Sequence, residues 1–222
     1  AKKLSKADPG EVVKFGVDPT GPVGGSLLAN LIQNPSLMER VNQGREVGYI
    51  IIIVGLFGIG IAFWKLFTLY NMGVAVKKQA KSKSHDQNNP LGRVLAVGEE
   101  HMGKDIETLE LKLAEAIMAE RPAIERGIPV VKIISVVAPL AGLLGTVTGM
   151  IVTFQQITLF GTGDPKIMAG GISQALVTTV LGLVVAIPTT LLHSFANSSA
   201  RGIINVLEEQ STGIVAEHSD SK

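Results

Sequence analysis

Two stretches of this chain carry no formal charge, residues 133–163 (31 positions) and 167–200 (34 positions), with His193 the only titratable side chain in the second. A third, residues 47–64, reads VGYIIIIVGLFGIGIAFW. Crossing a hydrocarbon core of about 30 Å takes roughly 20 helical residues, and each stretch is long enough. One such run would suit a buried helix in a soluble fold. Three within 222 residues predict an all-α integral membrane protein with three long transmembrane helices and helical extensions outside the bilayer. Forty-six residues precede the first run and no small-residue cleavage site follows it, so it is expected to be a span rather than a secretory leader.

The basic residues set an expected orientation. Lys65, Lys77, Lys78, Lys81 and Lys83 follow the first span with no acid among them, whereas Arg40 and Arg45 before it are matched by Glu39 and Glu46. The lysine side is expected to be cytoplasmic. Residues 1–46 then form an extracytoplasmic segment with a short amphipathic helix in PSLMERVNQG, and 47–64 the first span. Residues 65–127 make a cytoplasmic helical loop, 128–160 the second span, 161–166 a short external turn and 167–196 the third span. Residues 197–222 form a cytoplasmic tail. Asp164-Pro165 and Asn34-Pro35 each place a capping side chain before a proline suited to a first helical turn. Ser26, after the turn-rich DPTGPVGG, is expected to cap a brief LLANLI helix. Residues 91–120 read as one amphipathic helix on Leu109, Leu113, Ala116, Ile117 and Glu120. Beyond it Pro122 and Pro129 leave continuation, a kink or a break all open. KKQAKSKSHDQNNP reads as a solvated bend.

Motifs for catalysis fail. GLFGIG lacks the third glycine and preceding strand of a dinucleotide fingerprint, and GTGDPK lacks the spacing of a phosphate loop. The four His residues are scattered with no HExxH, and there is no Cys to serve as nucleophile or metal ligand. A net charge of +1 and 5% aromatic residues give no field or stacking surface for nucleic acid. The expectation is a non-enzyme without cofactor or metal.

The spans instead carry small residues at helical intervals: Ala138, Gly142, Gly145 and Gly149 in the second, Gly171, Ala175, Thr179, Gly182 and Ala186 in the third. Such stripes let helix backbones approach closely. Two of them exceed what three helices can use, so contacts between subunits are expected. Thr146 and Thr153 lie seven apart, and Gln174, Thr178, Leu181 and Val185 follow one helical face. A membrane threonine often bonds only its own preceding carbonyl. The Gln174 amide has more hydrogen-bonding capacity than local backbone can meet, so it is expected to face protein or water. Pro139 and Pro188 free the carbonyls of Ser135 and Val184 and are expected to hinge their helices.

APLAGLLGTVTGM (138–150) and GGISQALVTTVLGLVVAIPTTLL (170–192) resemble the ExbB/TolQ/MotA group of proton-driven motor stators. Within it they are most similar to ExbB-type subunits of TonB-linked systems, including the long form called TtpC. The resemblance is specific over residues 128–196 and weaker at QGREVGYIIIIVGLFG. It implies an inner-membrane pentamer, embedded in membrane lipids, whose pore holds an ExbD-like partner. Proton flow would then move a TonB-like transducer and so energise outer-membrane transport. By position Thr146 and Thr179 match pore threonines, with Gln174 and Thr178 completing a polar lining. The family's third helix usually reads GIAEAL; this chain reads GISQAL, with Gln174 where the glutamate stands. A glutamine neither takes up nor releases a proton, so the resemblance implies that a titrating carboxylate comes from the partner. A TolQ-like role in envelope maintenance and a passive, non-conducting scaffold are the alternatives. The long form carries a further region ahead of this segment, and with Ala at position 1 derivation from a longer precursor stays open.

Overall fold

The computed structural model describes residues 37–82, 86–161 and 165–220. The chain divides at Arg40/Val41 into a short N-terminal unit and the helical unit of residues 41–222, to which the following applies. The caps expected at Ser26, Asn34 and Asp164 lie outside the described residues. α1 (Leu37–Gln43) straddles the division.

Every element described is a helix. α2 (Arg45–Gln79), α5 (Ile128–Phe160) and α6 (Pro165–Asp220) are the long ones. Each is long and apolar enough to cross a membrane. At 1.5 Å per residue, the 56 residues of α6 reach about 84 Å, far beyond a hydrocarbon core of about 30 Å. The chain is therefore an integral membrane protein whose helices continue well outside the bilayer.

Two short helices, α3 (Pro90–His101) and α4 (Ile106–Glu125), pack on that continuation. The expected single helix over 91–120 is corrected: it breaks at residues 102–105. Gly103 disfavours helix, and Asp105 starts a new one, accepting the Thr108 backbone N–H at 2.9 Å and its hydroxyl at 2.8 Å. α3 starts in the same way, with Asn89 accepting from the Gly92 N–H at 2.8 Å and Pro90 in the first turn. Arg93 ties the two helices together through a two-pronged bond to Glu120, Nε–Oε1 2.6 Å and the second pair 2.7 Å. That bond to the carboxylate raises the guanidinium pKa above its already high ordinary value.

Among the three outcomes open at the prolines, the chain breaks between them. Pro122 lies inside α4 and Pro129 in the first turn of α5, while Gly127 turns the backbone at φ 86°. Only glycine adopts that conformation without a Cβ penalty. Lys65, which sequence position assigns to the basic boundary of the first span, is turned inward instead. It is 3% exposed, and its ammonium donates to the Ala123 carbonyl at 3.1 Å. This places a cation at the last turn of α4, where helix carbonyls lack partners. α2 itself runs on without interruption to Gln79.

Two apolar clusters result. The larger joins α2, α3, α4, α6 and the first turn of α5 outside the seam of small residues, through Leu69, Val76, Leu91, Val94, Leu109, Leu113, Ile128, Ile204 and Leu207. The smaller holds the three long helices together at Ile51, Ala138, Val185 and Ala186.

Candidate functional site

The site is built along the contact of α5 with α6, and its geometry follows from missing side chains. A methyl on Gly142 would lie 2.9 Å from the Thr178 carbonyl oxygen and 3.4 Å from Gly182 Cα. One on Gly182 would lie 2.8 Å from the Ala138 carbonyl and 3.3 Å from Pro139 Cα. One on Gly149 would meet the Gly171 carbonyl at 2.9 Å and Ala175 at 3.1 Å. Gly145 lies directly against the Thr178 side chain, and Gly171 against Thr153. Backbone thus rests on backbone over about three helical turns. The expectation that these stripes lie between subunits is corrected, because each helix uses its small face on the other helix of the same chain. α2 joins by a related device, glycine against side chain: a methyl on Gly55 would lie 2.5 Å from the Val185 side chain and one on Gly58 2.9 Å from that of Ile134. Within GLFGIG, Gly55 and Gly58 are the packing positions, while Leu56 and Phe57 are exposed.

Hydroxyls punctuate this seam, and each bonds to its own helix. Thr178 donates to the carbonyls of Gln174 (3.1 Å) and Ala175 (2.9 Å), and Thr153 to Gly149 (2.9 Å). Thr189 bonds to Val185 (2.8 Å) and Ala186 (3.1 Å). Such back-bonding supplies the partner that lipid cannot. The four residues expected to line a pore divide into two pairs. Thr178 (0% exposed) and Gln174 (7%) are inside the three-helix unit, the latter one turn before the former. Thr146 and Thr179 sit half-buried at its edge, bonded to Leu143 (2.6 Å) and Ala175 (3.4 Å). Near Gln174, the Ser173 hydroxyl meets the Gln43 amide oxygen at 3.0 Å and links α6 to the end of α1. Pro139 and Pro188 lie within unbroken helices.

Sequence reasoning passed over Thr189, although it repeats the Thr178 face three turns later. It also passed over Ser135, whose hydroxyl donates to Lys132 at 2.8 Å. Among the described residues no group of three or more His, Asp or Glu is placed to hold a metal. No Asp or Glu occurs anywhere from 128 to 160 or from 165 to 207. The seam offers polarity without a carboxylate, so a proton passing here needs water or a group from another chain.

Residues 86–209, more than half of the chain and all of the seam, match the MotA/TolQ/ExbB proton channel family. The chain belongs to that family. Among its relatives, a biopolymer transport protein ExbB homolog of Methanothermobacter thermautotrophicus is 26% identical over 189 residues, covering 78% of this chain and 67% of that protein. A biopolymer transport protein ExbB-like 1 of Synechocystis is 29% identical over 175 residues, covering 71% and 69%. The biopolymer transport protein ExbB of Aquifex aeolicus is 48% identical over 58 residues, covering 26% and 39%. The chain thus spans about two thirds of the length of the first two relatives. The family is one of membrane proton channels and transport subunits, in keeping with three spanning helices and a charge-poor polar seam.

Proposed function

We propose that the chain is the pore-forming stator subunit of a motor driven by the proton-motive force in the bacterial inner membrane. It acts as a homo-oligomer, a pentamer, around an ExbD-like partner. Motion generated there passes to a TonB-like transducer that energises outer-membrane transport. The observation that carries this reading is the α5–α6 seam, with Thr146 and Thr179 half-open at its edge and no carboxylate along its length.

Each protomer contributes a rigid wall, because backbone contacts at Gly142, Gly149 and Gly182 leave no slack between α5 and α6. The edge hydroxyls solvate water or a carboxylate from the partner without the cost of an ionised side chain in lipid, at least about 2.5 kcal/mol on insertion scales. Gln174 and Thr178 stand behind that edge. They hold the wall's polarity, and Gln174 cannot itself titrate. The partner's carboxylate is the group that loads and releases the proton, and Pro139 and Pro188 are where the helices hinge at the end of the rigid wall, next to the freed carbonyls of Ser135 and Val184.

Lys77, Lys78 and Lys81 support a cytoplasmic end for α2, with the N-terminus outside and the C-terminus inside. Lys65 is left out of that count because it is buried. The function is tested with liposomes holding the chain with or without its small partner, an imposed proton gradient and a pH-sensitive dye. Flux is expected from the pair and not from the chain alone. No flux from an intact complex would refute the reading. A single Cys replacing Lys78 should be labelled only from the cytoplasm; labelling from outside would invert the topology.

A further inference from the structure

Away from the seam, α2 and α6 border an open groove of 710 Å³, walled by Phe63, Phe67, Tyr70 and Val74 on one side and Ile203 and Val206 on the other. The α2 wall is a single helical face, its residues four, three and four positions apart. Phe63, Phe67 and Tyr70 are 60%, 67% and 71% exposed. From Lys65 onward this wall runs level with α4, because the Lys65 ammonium meets the Ala123 carbonyl. α4 carries Glu110, Glu115 and Arg121 exposed along its length, and a helix so charged stands in water rather than in hydrocarbon. The groove beyond Lys65 therefore lies on the water side, with the leucine cluster. An apolar face of this size in water marks a surface that meets protein.

α4 has the complement on its outward side. Leu109, Leu113 and Ile124 are fully buried in the core, whereas Leu111 and Met118, seven positions apart, are 67% and 71% exposed. Ala114 and Pro122 continue that outward face and Glu107 ends it, all of them exposed. The two surfaces stand at one level in the chain. Ala123 lies by Lys65, and a methyl on Gly127 would lie 3.6 Å from the Ile61 side chain, so this stretch runs antiparallel to α2, four residues for four. Counting on from Lys65 and back from Ala123, five residues reach Tyr70 and Met118. Thirteen reach Lys78 and Glu110, and sixteen reach Lys81 and Glu107. No acid occurs from Lys65 to Ser84. The α2 face thus turns from aromatic to basic at the levels where the α4 face turns from apolar to acidic.

We propose that the outward face of α4 in one copy of the chain seats in the α2–α6 groove of the next copy. A copy generated by rotation about an axis along the spanning helices is not shifted along that axis, so levels that match within one chain match between chains. Met118 then meets Tyr70, and Glu107 and Glu110 meet Lys81 and Lys78. The two surfaces belong to different helices, so the contact is head-to-tail, the kind from which rings are built. The inference rests on the homo-oligomer of the reading above and names the surfaces that join its copies outside the bilayer.

The chain has no Cys, so thiols placed singly report the contact. Chains carrying Tyr70→Cys and chains carrying Met118→Cys, both at exposed positions, are produced together in membranes and oxidised. A disulfide-linked dimer is expected from the mixture and from neither variant alone. Glu107→Lys in the Met118→Cys chain should cut the yield severalfold, and Lys81→Glu added to the Tyr70→Cys chain should restore it. A dimer from either variant alone, or a yield indifferent to both charge reversals, would overturn the proposal. So would the absence of a dimer from the mixture. In that case native mass spectrometry separates the two readings: a mass of several copies removes this interface and leaves the homo-oligomer standing, whereas a mass of one copy removes both.

Discussion

Around Leu91, Leu109, Leu113 and Leu207 the chain is held by interlocked branched side chains, all of them fully buried. Around Gly142, Gly149 and Gly182 it is held by backbone laid on backbone. The same long helix, α6, takes part in both. What changes along it is the solvent. Outside the bilayer, water drives leucines inward. Within it, lipid is as apolar as leucine, so close van der Waals contact between small residues decides which faces meet. Leu140, Leu143 and Leu144 accordingly remain more than half exposed in the spanning region. Polar groups follow the same division. The Arg93–Glu120 pair lies where water is near, while threonines in the seam bond to their own helices.

Leucine truncation gives the largest contrast. Leu113→Ala should lower unfolding stability in detergent by about 2–5 kcal/mol, the usual cost of emptying a packed core. Leu144→Ala, exposed in the spanning region, should change it little. Equal losses would erase the distinction between the two regions. Glycine substitution reverses the contrast. Gly145→Ala drives a methyl into Thr178 and should cost about 1–3 kcal/mol. Gly60→Ala, with nothing within 4 Å, should be neutral or stabilise by up to about 1 kcal/mol. A smaller effect is expected at the helix starts outside the bilayer, where Asn89→Ala should cost about 1 kcal/mol through its lost cap. Hydrogen exchange at the start of α3 would locate that loss. The smallest effect is at Glu115, whose carboxyl the Lys112 ammonium holds below its ordinary pKa by a hydrogen bond at 2.8 Å. Whatever this pair contributes is present above the ordinary carboxylate pKa and is lost as pH falls through the lowered value. The group is fully exposed, so Glu115→Gln should leave the unfolding midpoint at neutral pH unmoved.

The three spanning helices were legible because charge-free runs of such length have few other destinations. The residues of the α5–α6 seam were legible too, since small side chains at helical intervals mark close contact. Which surface they contact was not: spacing defines a face, and both a neighbouring helix and a neighbouring subunit want the same one. Lys65 was misread for a related reason. A lysine is counted by its place along the chain, whereas its burial depends on Ala123, 58 residues away. The break at residues 102–105 carried a local signal in Gly103 and Asp105, which the continuous pattern of leucines outweighed. Thr146, Thr179, Gln174 and Thr178 stand out in the sequence by residue type and resemblance, but the depth that separates the two pairs arises only when α5 and α6 are packed.

The half-open hydroxyls are the part of the seam on which the proposed function turns. Replacing both by valine keeps their shape and removes only the hydroxyls. Proton flux through liposomes containing the chain and its partner should therefore be compared between the wild type and the Thr146→Val/Thr179→Val variant, at matched protein content and oligomeric mass. The account predicts a marked loss of flux with assembly and unfolding midpoint intact. Flux at the wild-type rate from that variant would contradict it.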